Sequence, residues 1–149
     1  MAERKLSEYV SVIATIDPDE YTTASYQSDV WDMQNFTQVM AVIMGGSFGT
    51  AGTLDAKFQF APTSNGTYTT VPGIAITQLT EAATSSDRQA VMNVSAGEVG
   101  ASTNRWGRVN LDVGVETTDC AVIVLGKPVR TEAFTTIAAH DLSTVSEIV

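Results

Sequence analysis

The chain has 149 residues, 44% of them hydrophobic and only 17% charged, with a formal net charge of -9 and an isoelectric point near 4.3. That length fits one domain with a sizeable core. The acidity excludes the electrostatic footprint of a nucleic-acid binder or of a protein held on anionic membranes.

Residues 1–8 mix charge with one leucine and read as an N-terminal arm. They lack the apolar stretch of a secretory signal, and nowhere does the chain reach the roughly 18 apolar residues of a membrane span; folding in a reducing cytoplasm is expected. Tyr9 to Ile16 alternates as a strand and is expected to stop at the turn signal Asp17-Pro18-Asp19-Glu20. Ala24 to Met33 reads as a weaker strand, with Trp31 on a mostly polar face. Phe36 to Met44 is apolar on both faces from Val39 onward, as in a central strand. The glycines at 45, 46, 49 and 52 then read as a flexible hairpin connection.

Leu54 to Phe60 is the clearest solvent-facing outer strand, with Leu54, Ala56, Phe58 and Phe60 inward and Asp55, Lys57 and Gln59 outward. Asn65-Gly66 and Pro72-Gly73 are turn dipeptides. Ile74 to Leu79 is a short strand, residues 80–87 a loop, Gln89 to Ala96 a strand and Gly97 to Asn104 a loop. Trp106 to Val115 and Cys120 to Leu125 read as a hairpin closed by the acidic turn Glu116–Asp119. The second of these strands is apolar on both faces and is expected to be covered on both sides. Residues 131–149 carry no Gly or Pro and have an ambiguous period; they read as a C-terminal arm. The whole predicts an all-β fold: an antiparallel β-sandwich of jelly-roll or Greek-key type with about eight strands over residues 9–130.

Residues able to carry chemistry are few. Cys120, the single cysteine, sits in an apolar run and reads as a small buried hydrophobe. Its pairing with the single histidine, His140, would need an exposed thiol. No zinc or transition-metal cluster can be assembled from one His and one Cys. The acidic cluster at Asp17, Asp19, Glu20, Asp29 and Asp32 lacks the glycine and the closing Glu of a calcium loop. The glycine run precedes a strand, and a phosphate cradle needs a helix. The three Asn-x-Ser/Thr triplets, without a secretory signal, are composition. No catalytic residue, cofactor or metal is expected. Arg105, Arg108, Lys127 and Arg130 are half of the 8 Lys and Arg residues and gather at one end of the expected hairpin. They read either as charges that cap an exposed sheet end or as a contact surface for acidic groups on a partner or a sister subunit, because Arg suits interface ion pairs.

Residues 54–73, LDAKFQFAPTSNGTYTTVPG, carry an alternating strand, a Ser-Asn-Gly-x-Tyr turn and a Val-Pro-Gly segment. Residues 105–130 carry an Arg-Trp-x-Arg-Val strand and an apolar strand ending Leu-Gly-Lys-Pro-Val-Arg. Together these resemble the pattern of tailed-phage capsid cement, or decoration, proteins, over about residues 36–130; the two arms are unmatched. The resemblance implies a non-enzymatic virion protein on the outer capsid surface that clamps adjacent major capsid subunits. It also implies a homo-oligomer, a trimer in preference to a dimer. The rival reading is a carbohydrate- or receptor-binding module of a phage appendage, with Trp31, Tyr68 and Trp106 as an aromatic platform. A carboxylate-based hydrolase has no recognisable acid–base constellation in its favour.

Overall fold

The computed structural model describes residues 5–82 and 86–129. In chain order its elements are β1 (Ser11–Tyr21), β2 (Ala24–Gln27), β3 (Trp31–Asp32), β4 (Phe36–Phe48), β5 (Thr53–Ala61), β6 (Thr69–Ala75), β7 (Leu79–Thr80), β8 (Arg88–Ser95), the one-turn helix α1 (Ala96–Val99), β9 (Trp106–Gly114) and β10 (Thr118–Pro128). Short 3-10 turns lie at Leu6–Glu8 and Met33–Asn35.

The strands form two antiparallel sheets packed as a sandwich. Sheet A has the order β1-β10-β4-β8 and sheet B the order β2-β9-β5-β6, with β3 added beside β9 and β7 beside β5. The pairs are nested. The β5–β6 pair is a hairpin near the middle of the sequence, and outside it lie β4 with β8, β2 with β9, and β1 with β10. One long ribbon folded over itself in this way is the jelly-roll topology.

The core follows from the alternation of the strands. Leu54, Ala56, Phe58 and Phe60 of β5 and Val109, Leu111 and Val113 of β9 point inward from sheet B. They meet Val39, Ala41 and Ile43 of β4 and Cys120, Val122 and Val124 of β10 from sheet A. Each large apolar side chain fully buried here contributes about 2 kcal/mol.

Several local expectations give way. The segment Asp17-Pro18-Asp19-Glu20 does not end β1: Ile16 pairs with Val122 and Asp19 with Cys120, so the extra residues form a bulge. A proline is tolerated there because β1 is the edge of its sheet. The Ala24–Met33 strand is broken into β2 and β3. Β4 runs on through Gly45 and Gly46, and the glycine-rich turn after it carries the chain to the opposite sheet instead of closing a hairpin.

The expected hairpin of β9 and β10 is also absent, for the two strands belong to different sheets. Asn65-Gly66 does mark a turn, with the Gly66 N–H donating to Thr63 O at 3.0 Å, but neither residue takes a positive φ. Pro72-Gly73 lies inside β6, where Gly73 adopts a φ of 77° as the pairing with β5 jumps. The loop expected at Gly97–Asn104 begins as α1, closed by a capping box in which Ser95 and Glu98 satisfy each other's backbone N–H groups.

Candidate functional site

The sandwich presents two unlike outward faces. On sheet B the outward side chains form a polar ladder across β2, β9 and β5. Asp112 accepts from Lys57 Nζ at 2.9 Å, from Asn110 Nδ2 at 2.8 Å and from Ser25 Oγ. Asn110 in turn accepts from Gln27 Nε2 at 3.0 Å, and Asp55 accepts from Gln78 Nε2 at 2.6 Å. Burial would raise the Asp112 carboxyl, but the hydrogen bonds from Ser25, Lys57 and Asn110 outweigh it and hold the group below the usual carboxylate range.

At the end of this ladder Arg108 donates to Gln59 Oε1 at 2.9 Å and stacks over the Tyr68 ring at 4.2 Å. Arg105 grips Asp32 through two hydrogen bonds, Nε to Oδ1 at 2.9 Å and Nη2 to Oδ2, and its guanidinium lies 5.2 Å from the Trp106 ring. Burial opposes ionisation of Asp32, yet Arg105 and the Gln34 N–H together lower its pKa. Arg105 and Lys127 do lie near the same end of the sandwich. The Met33–Asn35 turn ties that end together, with Met33 N–H donating to Arg105 O at 2.8 Å and Val129 N–H to Asn35 O at 2.9 Å. Of the four basic candidates, Arg105 and Arg108 are engaged within the chain, Lys127 is exposed, and Arg130 lies outside the described residues.

The aromatic candidates are dispersed. Trp31 is buried, 3% exposed, with its ring edge-on to Phe58 and Phe60 at 5.9 Å from each. It is a core residue and cannot stack on a sugar. The polar neighbours that suggested an exposed face belong to β2 and the break after it, so the alternation does not carry through to Trp31. Tyr68 and Trp106 are half-buried, each beside an arginine.

Cys120 faces the core, and burial, reinforced by Asp119, pushes its thiol up to about 11. His140, and with it any Cys–His pair, lies outside the described residues. Among the described residues no group of three or more His, Cys, Asp and Glu side chains is placed to hold a metal ion, and no helix is long and apolar enough to cross a membrane.

Sequence reading missed the partners of these polar groups. Asp32 was visible only as part of an acidic cluster, and the ladder centred on Asp112 depends on the cross-strand register Asp55–Asp112, Lys57–Asn110 and Gln59–Arg108. The Ser95-x-x-Glu98 capping signature was present in the sequence and would have located α1.

No protein-family model matches the chain, and no curated protein matches it. Among solved structures it is similar to a chain described under "Bacillus endospore appendages form a novel family of disulfide-linked pili", at 10% identity and a TM-score of 0.37, over 86% of this chain and 98% of that one. It is also similar to a chain from the structure of infectious bursal disease virus, Gx strain, at 11% identity and a TM-score of 0.44, over 80% of this chain but only 32% of that one. Likeness at this level carries no argument about function.

Proposed function

We propose that the protein is a non-enzymatic structural component of a phage virion that binds the outside of the capsid and stabilises contacts between major capsid subunits. The observation that supports this reading is how the polar side chains are used. Asp32, Asp112, Gln59 and Glu98 are each engaged by a neighbour in the same chain, so these polar groups serve to hold the strands and the α1 turn in place. What results is a jelly roll braced by cross-strand polar pairs, an architecture also common among capsid proteins, and fold alone does not assign function. The capsid as partner comes from the resemblance of residues 54–73 and 105–130 to decoration proteins.

Contact with the shell is assigned to the basic end of the sandwich, where Lys127 is the exposed charge, and the working unit to a homo-oligomer, a trimer before a dimer. A stable clamp needs total buried interface beyond about 1,000 Å². Purified protein added to undecorated phage shells should bind them and raise their disruption temperature, and its solution mass should exceed that of one chain. Failure to bind any shell would overturn the reading.

A further inference from the structure

The outward face of sheet A is the apolar counterpart of the polar ladder. Across its two inner strands Leu125 pairs with Met40, Ile123 with Val42 and Ala121 with Met44. All share the parity opposite to the buried Val122, Val124 and Ile43. The middle row runs the full width of the sheet, from Thr15 on β1 through Ile123 and Val42 to Val91 on β8. Met44 is 37% and Val91 54% exposed, and among the described residues no further sheet lies on this face. A strand apolar on both faces is normally covered on both, and a continuous apolar sheet face marks a contact surface.

Charge is confined to the ends of the stripe. On β10 the outward residues run Asp119, Ala121, Ile123, Leu125, Lys127. Asp119 and Lys127 are equally far from Ile123, about 13 Å along a strand. Glu20 pairs with Asp119, so that end is acidic. Lys127 and Glu98 border the groove at the other end, where Glu98 is already bound to Ser95.

We propose that a second copy of this chain covers the face, sheet A on sheet A, about a two-fold axis lying along the Thr15–Ile123–Val42–Val91 row. With that axis the facing strands run antiparallel, and each acidic end comes over the Lys127 end of the other copy. Leu125 of one copy then lies over the small Ala121 of the other, so size as well as charge is complementary. A two-fold axis parallel to the strands would instead set Glu20 and Asp119 against the same carboxylates of the second copy, which repulsion disfavours. The charge pairs lie at the rim and fix orientation; the apolar rows supply the affinity.

The area is sufficient. Four strands span about 19 Å and residues 119–127 about 26 Å. Each copy therefore offers about 500 Å² and the pair about 1,000 Å², the size at which specific interfaces begin. A dimer of this size is dissociable, not permanent. The inference rests on the proposed function only in expecting more than one chain. It makes the unit in solution a dimer, against the trimer that the phage resemblance implies, and its test uses no shell.

Sedimentation of the full chain over a dilution series should give the mass of two chains, falling toward one on dilution. Ile123→Asp should give one chain at every concentration with the β-sheet circular dichroism unchanged. Asp119→Lys should weaken the dimer several-fold, and adding Lys127→Asp to it should restore the dimer, a rescue that the parallel arrangement does not give and that needs no change in the apolar rows. One chain at every concentration for the unaltered protein would mean that the face is open or covered within the chain. A mass of three chains, a dimer indifferent to Ile123→Asp, or no rescue by the double exchange would place the contact elsewhere or orient it otherwise. Each of these results overturns the proposal. A dimer that binds no shell would overturn the virion reading alone, and a monomer that binds shells would overturn this inference alone.

Discussion

Gly107 lies directly beside Trp31 across the β3–β9 ladder, and the indole closes over the space where a side chain would stand. A Cβ on Gly107 would sit 2.6 Å from Trp31 Cε2 and 2.6 Å from Phe60 Cε1. Phe60 is the partner of Gly107 on the other side, so three strands meet in one aromatic layer that only glycine permits. Both rings are held edge to face and neither is free to yield. Gly107→Ala should therefore destabilise the protein by about 3 kcal/mol, read from the midpoint of urea unfolding. A loss within experimental error would mean that the layer repacks without strain.

A second backbone position points the other way. Val115 follows β9 with a φ of 68°, which a β-branched residue adopts only at a cost, and it is 63% exposed. It leads the chain from one sheet to the other, with Glu116 N–H donating to Gly114 O at 2.8 Å. Asparagine tolerates this conformation far better, and little apolar burial is lost. Val115→Asn should stabilise the fold by about 1 kcal/mol. Equal or lower stability would show that the valine has packing value that its exposure does not reveal.

These two residues also show what the sequence discloses and what it does not. The alternation in β5 and β9 reports which side chains face the core, because a pleated strand has a strict period of two, and it places Leu54, Phe58, Val109 and Leu111 correctly. Strand partners are another matter. A short turn such as Glu116–Asp119 can close a hairpin or carry the chain across a sandwich, and local chemistry is the same in both. Only the nested pairing, a property of the whole chain, separates β9 from β10. The position of Trp31 and the partners of Arg105, Arg108 and Asp112 are unreadable for the same reason, since each is set by register between distant strands. Pro18 misleads because an edge strand has no need of its missing N–H.

The Asp112 cluster should be visible in acid. Its carboxyl is held below the ordinary range despite burial, through Ser25, Lys57 and Asn110. A lowered folded-state pKa contributes stability above the unfolded value of about 3.9, and that contribution is lost as pH falls through the folded value. Asp112 and Lys57 are each about one-third exposed, so solvent screening limits the effect. Asp112→Asn should lose about 1 kcal/mol or less at pH 7, and the gap from the unaltered protein should close as pH falls below that range. A gap independent of pH would assign the loss to packing.

The thiol offers a sharper yes-or-no outcome. Cys120 is buried against Val122 and the facing sheet, with its pKa pushed up to about 11 by burial and by Asp119. Thiolate is the reactive form, so at pH 8 the folded protein should react with Ellman's reagent only at the rate of its unfolding. Addition of denaturant should release one thiol per chain at once. Rapid labelling of the native protein would contradict the inward orientation of β10.

The basic end separates a structural role from a contact role within a few residues. Arg105 is bound to Asp32, and Arg108 to Gln59 and the Tyr68 ring, so each helps to fix β9 against its neighbours. Lys127 lies on the same end, on β10, with its side chain exposed. If this end meets an acidic partner, the two kinds of residue must respond differently. Arg105→Ser should lower the melting temperature and, once folded, weaken shell binding only in proportion. Lys127→Ser should leave melting unchanged while reducing shell affinity several-fold at low salt, with the difference fading as ionic strength rises, since an exposed charge acts mainly through screened attraction. Shell binding that ignores Lys127 at every salt concentration would remove this end as the contact surface, and melting that ignores Arg105 would mean that its grip on Asp32 is a surface pairing of little consequence.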